Sequence, residues 1–194
     1  MHQSIRGFKP FPSQFDGFKT VDESDKARHV RGVFDSVASR YDLMNDLMSM
    51  GLHRAWKFYT VLVADLKPGH RVLDIAGGTG DLASAFADKV GPTGQVVHTD
   101  INAAMLAAGR DRLINRGLVQ NIECLQANAE HLGFTDNTFD AVTTGFCMRN
   151  VGNLPQAVGE IRRVMKPGGT FVCLEFSRPV FGWLRALYDW YSFK

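Results

Sequence analysis

Cysteine is scarce: Cys124, Cys147 and Cys173 are the only three in 194 residues. They are odd in number, widely spaced and form no CxxC pair, so neither a disulfide framework nor a redox dithiol is signalled. Cys124 and Cys173 fall in strand-like runs, where a free thiol behaves as a small buried hydrophobe. There is no HExxH and no Cys/His cluster of zinc spacing, and no metal is expected. No apolar stretch is long enough to span a bilayer. The N-terminal "MHQSIRGFKPFPSQFDGFK" carries no continuous apolar core of signal-peptide type. A cytoplasmic location is expected from both. Basic runs are missing too: 22 Lys and Arg stand against 20 Asp and Glu for a net charge of +2, interleaved along the chain. Nucleic acid is therefore not expected as a partner.

What is present is an ordinary globular composition, 45% apolar and 22% charged, in a chain of a length that closes one sizeable core. From about Arg71 onward short β-branched runs alternate with helical segments. "RVLDIA" is a strand and "DLASAFADKV" a helix ended by Gly91-Pro92. "GQVVHTDI" is a second strand, followed by the helix "NAAMLAAGRDRLINR" with Asn102 as its cap. "NIECLQAN" and "FDAVTTGF" are the third and fourth strands, "LPQAVGEIRRVMK" a helix stopped by "PGG", and "TFVCLEFS" the fifth strand. This alternation predicts a mostly parallel, doubly wound sheet. The segment "DKARHVRGVFDSVASRYDLMNDLMSMGLHRAWKFYTVLVADL" is instead helical almost throughout. Residues 1–60 are therefore assigned to a helical cap and 61–194 to the α/β core, within one structural domain.

The chemistry centres on "VLDIAGGTGD", Val72 to Asp81. In a doubly wound sheet the ligand sits beyond the carboxyl ends of the strands, over the first strand-to-helix turn. Gly77, Gly78 and Gly80 let the backbone turn sharply and approach a ligand closely. Their spacing is tighter than the GxGxxG of a dinucleotide site, whose diphosphate rests on the helix N-terminus. Asp74 before the turn and Asp81 at the helix start would repel a diphosphate. They suit an ammonium or sulfonium ligand without phosphate, of which S-adenosylmethionine is an example. Asp100 ends the second strand, about 20 residues past the glycines, where such folds place an acid on ribose hydroxyls. After the third strand, Asn128 and the backbone of Ala129 are placed to meet an adenine edge, since an amide both donates and accepts. Taken singly these features have plainer explanations: Asp81 as a helix-start charge, Asn128 as a cap for the turn that follows it. Their joint occurrence, each after the appropriate strand, points to a class I S-adenosylmethionine-dependent methyltransferase core with a Rossmann-like sheet.

The segments "VFDSVASRYDLMNDLMSMGLHRAWK", "VLDIAGGTGDLA", "TDIN", "QANAEHL", "DNTFDAVTTGFCMRNV", "RVMKPGG" and "LEFS" closely resemble the ubiquinone/menaquinone biosynthesis C-methyltransferases. The glycine turn belongs to all class I methyltransferases. "RYDLMNDLMSMGLHRAWK" and the "RNV" after the fourth strand are far narrower. The resemblance implies that Thr79, Asp100, Asn128 and Ala129 contact the methyl donor. It also implies methyl transfer to a ring carbon of a prenylated benzoquinol or naphthoquinol. The family commonly has serine where this chain has Gly145, which would leave a backbone contact to the cofactor there. Cys147 stands at a usual glycine and Gly133 at a usual proline. Members continue past "YDWYSFK" through a helix and a final antiparallel strand pair, whereas this sequence ends at Lys194. Without that pair, the fifth strand is expected to be an open edge.

Ring methylation needs a carbon nucleophile, supplied when a quinol hydroxyl loses its proton, and an in-line approach to the methyl group. A base or bonded water must reach that hydroxyl, and a cation should stabilise the phenolate. Arg149 is assigned to the phenolate or to orienting a water, and Asn150 to holding the ring. The alternative for Arg149 is a structural pairing with a carboxylate. From the cap, Tyr41, Asn45, Asp46 and His53 are candidates to close over the substrate, with Tyr41 and Asn45 on one helical face. Met44, Met48 and Met50 read as apolar lining or core.

The aromatic tail "PVFGWLRALYDWYSFK" reads as packing against the core, with peripheral contact at the inner membrane surface as the alternative. A homo-oligomer or a quinone-synthesis complex remains an open partner assignment. Two other functions stay in view: a small-molecule O- or N-methyltransferase, and an inactive donor-binding partner. A nicotinamide dehydrogenase fails on the glycine spacing, on Asp74 and on the absence of a YxxxK pair.

Overall fold

The computed structural model describes residues 52–175. Helix α1 (Leu52–Val63) leads into strand β1 (Arg71–Ile75), followed by α2 (Asp81–Val90), β2 (Gln95–Asp100), α3 (Ala103–Asn115), β3 (Ile122–Gln126), β4 (Phe139–Gly145), α4 (Leu154–Val164) and β5 (Met165–Leu174). Of the cap assigned to residues 1–60, only the start of α1 lies within the described residues. Tyr41, Asn45, Asp46, the three cap methionines and the aromatic tail lie outside them.

All five strands pair in parallel in the order β3-β2-β1-β4-β5. A parallel sheet is covered on both faces, so its central strands carry near-continuous apolar runs. In β1, Val72 to Ile75 are all buried, as are Val96 to Asp100 in β2. One face carries Leu73, Val97, Phe139, Val142 and Ile161; the other carries Val72, Val96, Leu82, Phe86 and Ala141. Each large side chain taken out of water on these faces contributes about 1.5–3 kcal/mol. Among the described strands β5 forms one edge and β3 the other.

Expected boundaries for β1, α2, β2, β3 and β4 agree with the structure to within a residue or two. Asn102 caps α3 as expected, its Oδ1 accepting the N–H groups of Ala104 at 2.9 Å and Met105 at 3.0 Å. The last helix is a correction. It stops at Val164, before Lys166 and the Pro-Gly-Gly, because its final carbonyls are taken by the loop leading to β4. Asn137 N–H donates to Arg163 O at 2.9 Å and Thr138 N–H to Val164 O at 2.7 Å. Met165 is then extended and pairs with Phe139, and the ladder next resumes at Ala141 and Thr170. The Pro-Gly-Gly therefore sits in a bulge inside β5 and not in front of it.

Candidate functional site

The strand order reverses between β1 and β4, and in such sheets the crevice at the carboxyl ends of those two strands receives the ligand. Two residues there hold a left-handed backbone without being glycine: Ala76 after β1 (φ 53°) and Phe146 after β4 (φ 57°). Such strain costs on the order of 1–3 kcal/mol and persists where the surroundings enforce it, commonly at functional sites. Phe146 N–H is held by Leu174 O at 2.7 Å, and its ring lies 6.4 Å from that of Trp56. Helix α1 thus reaches the ligand end of the sheet.

The glycine turn after β1 is fastened to the end of β2. Gly77 N–H donates to Thr99 O at 2.9 Å and Gly78 N–H to Asp100 Oδ2 at 3.0 Å. Asn102 N–H donates to Asp100 Oδ1 at 2.8 Å. Each carboxylate oxygen accepts one amide and keeps acceptor capacity for a ligand. Burial pushes the Asp100 carboxyl above the usual carboxylate range, against the pull of the Asn102 and Gly78 amides. Gly78 (φ 56°) needs the left-handed region, which glycine enters without strain. Thr79, nearly buried, takes a long contact from Arg112 Nη1 at 3.4 Å.

The two acids that argued against a diphosphate turn out to be occupied. Asp81, opening α2, is gripped by Lys57 Nζ from α1 and Arg112 Nη2 from α3, each at 2.7 Å. Burial works against its charge, but these two cations outweigh that and hold its carboxyl below the usual range. Asp74, expected to meet the donor, is 0% exposed. Its Oδ1 accepts the Thr143 hydroxyl at 2.8 Å and its carbonyl that of Thr99 at 3.0 Å. It lies beneath the turn, so the expectation of direct contact gives way to one of support from below.

Asn128 follows β3, whose end is tied to β2 by Ala127 N–H donating to Asp100 O at 3.2 Å. Its Oδ1 accepts Glu130 N–H at 3.0 Å, the turn-capping role weighed as its alternative. That leaves the side-chain amide hydrogens as what Asn128 can offer a ligand. Ala129 is buried within the apolar cluster against Leu132 and Met148. Gly145 ends β4 with open space around it: a Cβ there would meet only Leu82 Cδ1 at 3.6 Å.

Arg149 and Asn150 occupy a single 3₁₀ turn, Met148–Asn150, just past β4. The Arg149 guanidinium pairs with the carboxylate of Glu175, which also takes Arg149 N–H at 3.4 Å. Glu175 was not singled out from sequence, although it closes the "LEFS" run; nothing in a linear pattern says which cation it faces. Burial, with Asp100 adding to it, pushes the Cys147 thiol up to about 11. His53 is only 4% exposed within α1, a sealed position for a base.

The turn, Asp100, Asn128 and Gly145 come together around the ends of β1, β2, β3 and β4, with the Arg149–Glu175 pair beside them. The donor set suits an adenosyl sulfonium. It offers a buried carboxylate with acceptor capacity for hydroxyls and an amide edge, and its glycine turn is open to close approach.

Known proteins resemble this chain along most of its length. The model of the ubiE/COQ5 methyltransferase family matches residues 20–194. The ubiquinone/menaquinone biosynthesis C-methyltransferase UbiE of Burkholderia multivorans is 56% identical over 178 residues, covering 92% of this chain and 72% of its own. The protein of that name from Pseudomonas fluorescens is 53% identical over 193 residues, covering 100% of this chain and 75% of its own. Among solved structures, YcgJ of Bacillus subtilis superposes with a TM-score of 0.61 at 26% identity over 72% of this chain and 58% of that one. A SAM-dependent methyltransferase from Aquifex aeolicus gives 0.59 at 23% identity, over 65% of this chain and 66% of its own, which speaks to the fold alone.

Proposed function

The chain belongs to the ubiE/COQ5 methyltransferase family, and from that premise we propose that its site binds S-adenosylmethionine and methylates a ring carbon of a prenylated quinol. It is a C-methyltransferase of ubiquinone/menaquinone biosynthesis. The observation that carries the choice of donor is Asp100, a buried carboxylate pinned by two amides with acceptor capacity left on each oxygen.

When bound, S-adenosylmethionine supplies an electrophilic methyl group on a sulfonium. Asp100 accepts the two ribose hydroxyls, and its own amide bonds hold it rigid while it does so. Asn128 offers its amide hydrogens to the adenine edge, oriented by the bond its oxygen makes to Glu130. Thr79 and the turn border the methionine end. Asp81 contributes no net repulsion there, because Lys57 and Arg112 neutralise it.

On the substrate side, Arg149 stabilises negative charge on the quinol oxygen as the ring carbon becomes nucleophilic. Glu175 aims that guanidinium and is itself a carboxylate within reach of the same place. Asn150 holds the ring. Tyr41 is proposed to close over it from the cap. A benzoquinol and a naphthoquinol both suit this arrangement, since each presents a hydroxyl beside the carbon to be methylated. Because such a substrate is a lipid, peripheral contact with a membrane surface is part of the proposal, and assembly with other quinone-synthesis proteins is proposed alongside it. Among the described residues, no helix is long and apolar enough to cross a membrane.

Calorimetric titration of the chain with S-adenosylmethionine, with NAD as control, tests the donor assignment. Binding of the former alone supports it. Binding of NAD alone overturns it.

A further inference from the structure

Beneath the glycine turn lies a pair of side chains that donor contact does not use. His98 and Asp74 are both 0% exposed. His98 Nε2 lies 3.1 Å from the carbonyl oxygen of Gly78. A carbonyl only accepts, so Nε2 carries the hydrogen and donates it. That leaves His98 Nδ1 facing Asp74 Oδ2 at 3.7 Å, close enough for an ion pair but too long for a hydrogen bond, and neither atom has a hydrogen-bond partner. Without a hydrogen between them, two lone pairs would confront each other in a sealed site. Each would then bear the full desolvation cost of an unmade bond.

Glycines on two neighbouring elements leave room for this pair. A Cβ on Gly77 would stand 2.4 Å from Asp74 Oδ2 and 2.5 Å from His98 Nδ1, so the turn lies directly on the gap. A Cβ on Gly109 of α3 would stand 2.5 Å from Gly78 O and 2.8 Å from His98 Nε2. From β4, Thr143 gives its hydroxyl to the other oxygen of Asp74. Cys124 is His98's ladder partner on β3, and Asp100 stands two residues along β2 with its carboxylate turned to the Gly78 and Asn102 amides. None of them supplies a hydrogen to the gap.

We propose that His98 Nδ1 carries a proton facing the Asp74 Oδ2 carboxylate across 3.7 Å as a buried ion pair, and that the pair, through His98 Nε2–H and the Gly78 carbonyl, fixes the turn that receives the methyl donor. His98 is then a positioning residue: it never touches the ligand, and it acts from below on the same glycine that Asp100 holds through its N–H. The proposal rests on the donor-binding assignment of that turn only for its consequence, not for the proton itself.

The test is imidazole nitrogen NMR on the full chain, followed by titration with S-adenosylhomocysteine. The His98 spectrum is expected to show hydrogens on both Nε2 and Nδ1, both signals shifting when the ligand is added. His98→Leu is expected to weaken ligand binding by about threefold to tenfold, the worth of one hydrogen bond. His98→Gln, whose amide can still donate to Gly78, is expected to recover most of that loss. An Nδ1 without a proton overturns the ion pair, whether or not either variant folds. Equal binding by the Leu and Gln forms overturns the positioning role. Failure of the wild type to bind the ligand would count against the donor assignment and leave the spectrum to decide on the proton.

Discussion

Asp100 Oδ2 accepts the backbone N–H of Gly78 at 3.0 Å, so the acid ending β2 is the clamp that holds the glycine turn of β1 in place. One carboxylate therefore shapes the loop and, in the function proposed above, also presents acceptors to the ligand. Asp100→Asn sets an amide group against one of the two N–H donors it now accepts. Donor affinity is expected to fall about tenfold or more, the scale of a hydrogen bond to a charged group. Calorimetry on the variant checks this.

The same residue sets a pH dependence. Burial raises the Asp100 carboxyl above its usual range in the folded chain. Between the usual value and the raised one, the folded protein keeps a proton the unfolded chain has released. This contribution to stability is full below that window and is lost as pH rises through it. Donor binding runs the other way and tightens across the same window, because the ribose hydroxyls need the carboxylate. Thermal melts and titrations over mildly acidic pH should diverge in this sense, and Asp100→Asn should flatten both.

Asp81 has the opposite sign. Its carboxyl is held below the usual range by Lys57 and Arg112 despite burial. Its contribution is present above the ordinary carboxylate value and is lost as pH falls through the depressed one. Asp81→Asn is expected to cost about 1 kcal/mol at neutral pH, as partly exposed pairs do. The cost should shrink on acidification, as read by denaturant unfolding.

Two glycines at the site should behave oppositely. Gly145→Ser meets only Leu82 Cδ1, at 3.6 Å, so stability should stay within about 0.5 kcal/mol. Its added hydroxyl should tighten donor binding by about threefold to tenfold. Gly77→Ala drives a methyl into the Asp74–His98 pair at 2.4–2.7 Å and should destabilise the fold by about 1–3 kcal/mol, as overpacking does. Chemical denaturation of both variants separates the two cases.

Cys147 sits beside the site with its thiol pushed up to about 11 by burial and by Asp100. It is therefore held protonated at neutral pH, and the thiolate is the nucleophilic form. Alkylation at neutral pH should be slow at Cys147, and tryptic mass spectrometry after timed iodoacetamide exposure reads it directly.

Much of this was legible in the linear sequence because the governing signals are local. The β-branched runs, the Gly91 break and the Asn102 cap lie within a few residues of what they control, and the glycine turn follows its strand directly. What escaped was set by pairing across the sheet. His98 reads as an ordinary strand residue until β1 is laid beside β2, which brings Asp74 to it. Arg149 and Glu175 are 26 positions apart and meet only because β4 and β5 end side by side. The early end of α4 depends on the loop before β4 capturing its carbonyls. Asp74 looked like a ligand contact because its place before the glycines is visible in sequence and its burial is not.

The central claim is transfer to carbon, and it is tested most directly by following the methyl group. The chain would be incubated with methyl-labelled S-adenosylmethionine and a prenylated demethylnaphthoquinol, and the position of the label read by NMR. The expected result is label on the ring carbon beside the quinol hydroxyl, with Arg149→Ala slowing its appearance while leaving donor binding intact. Label on the quinol oxygen, or donor binding with no transfer to either naphthoquinol or benzoquinol, would contradict it.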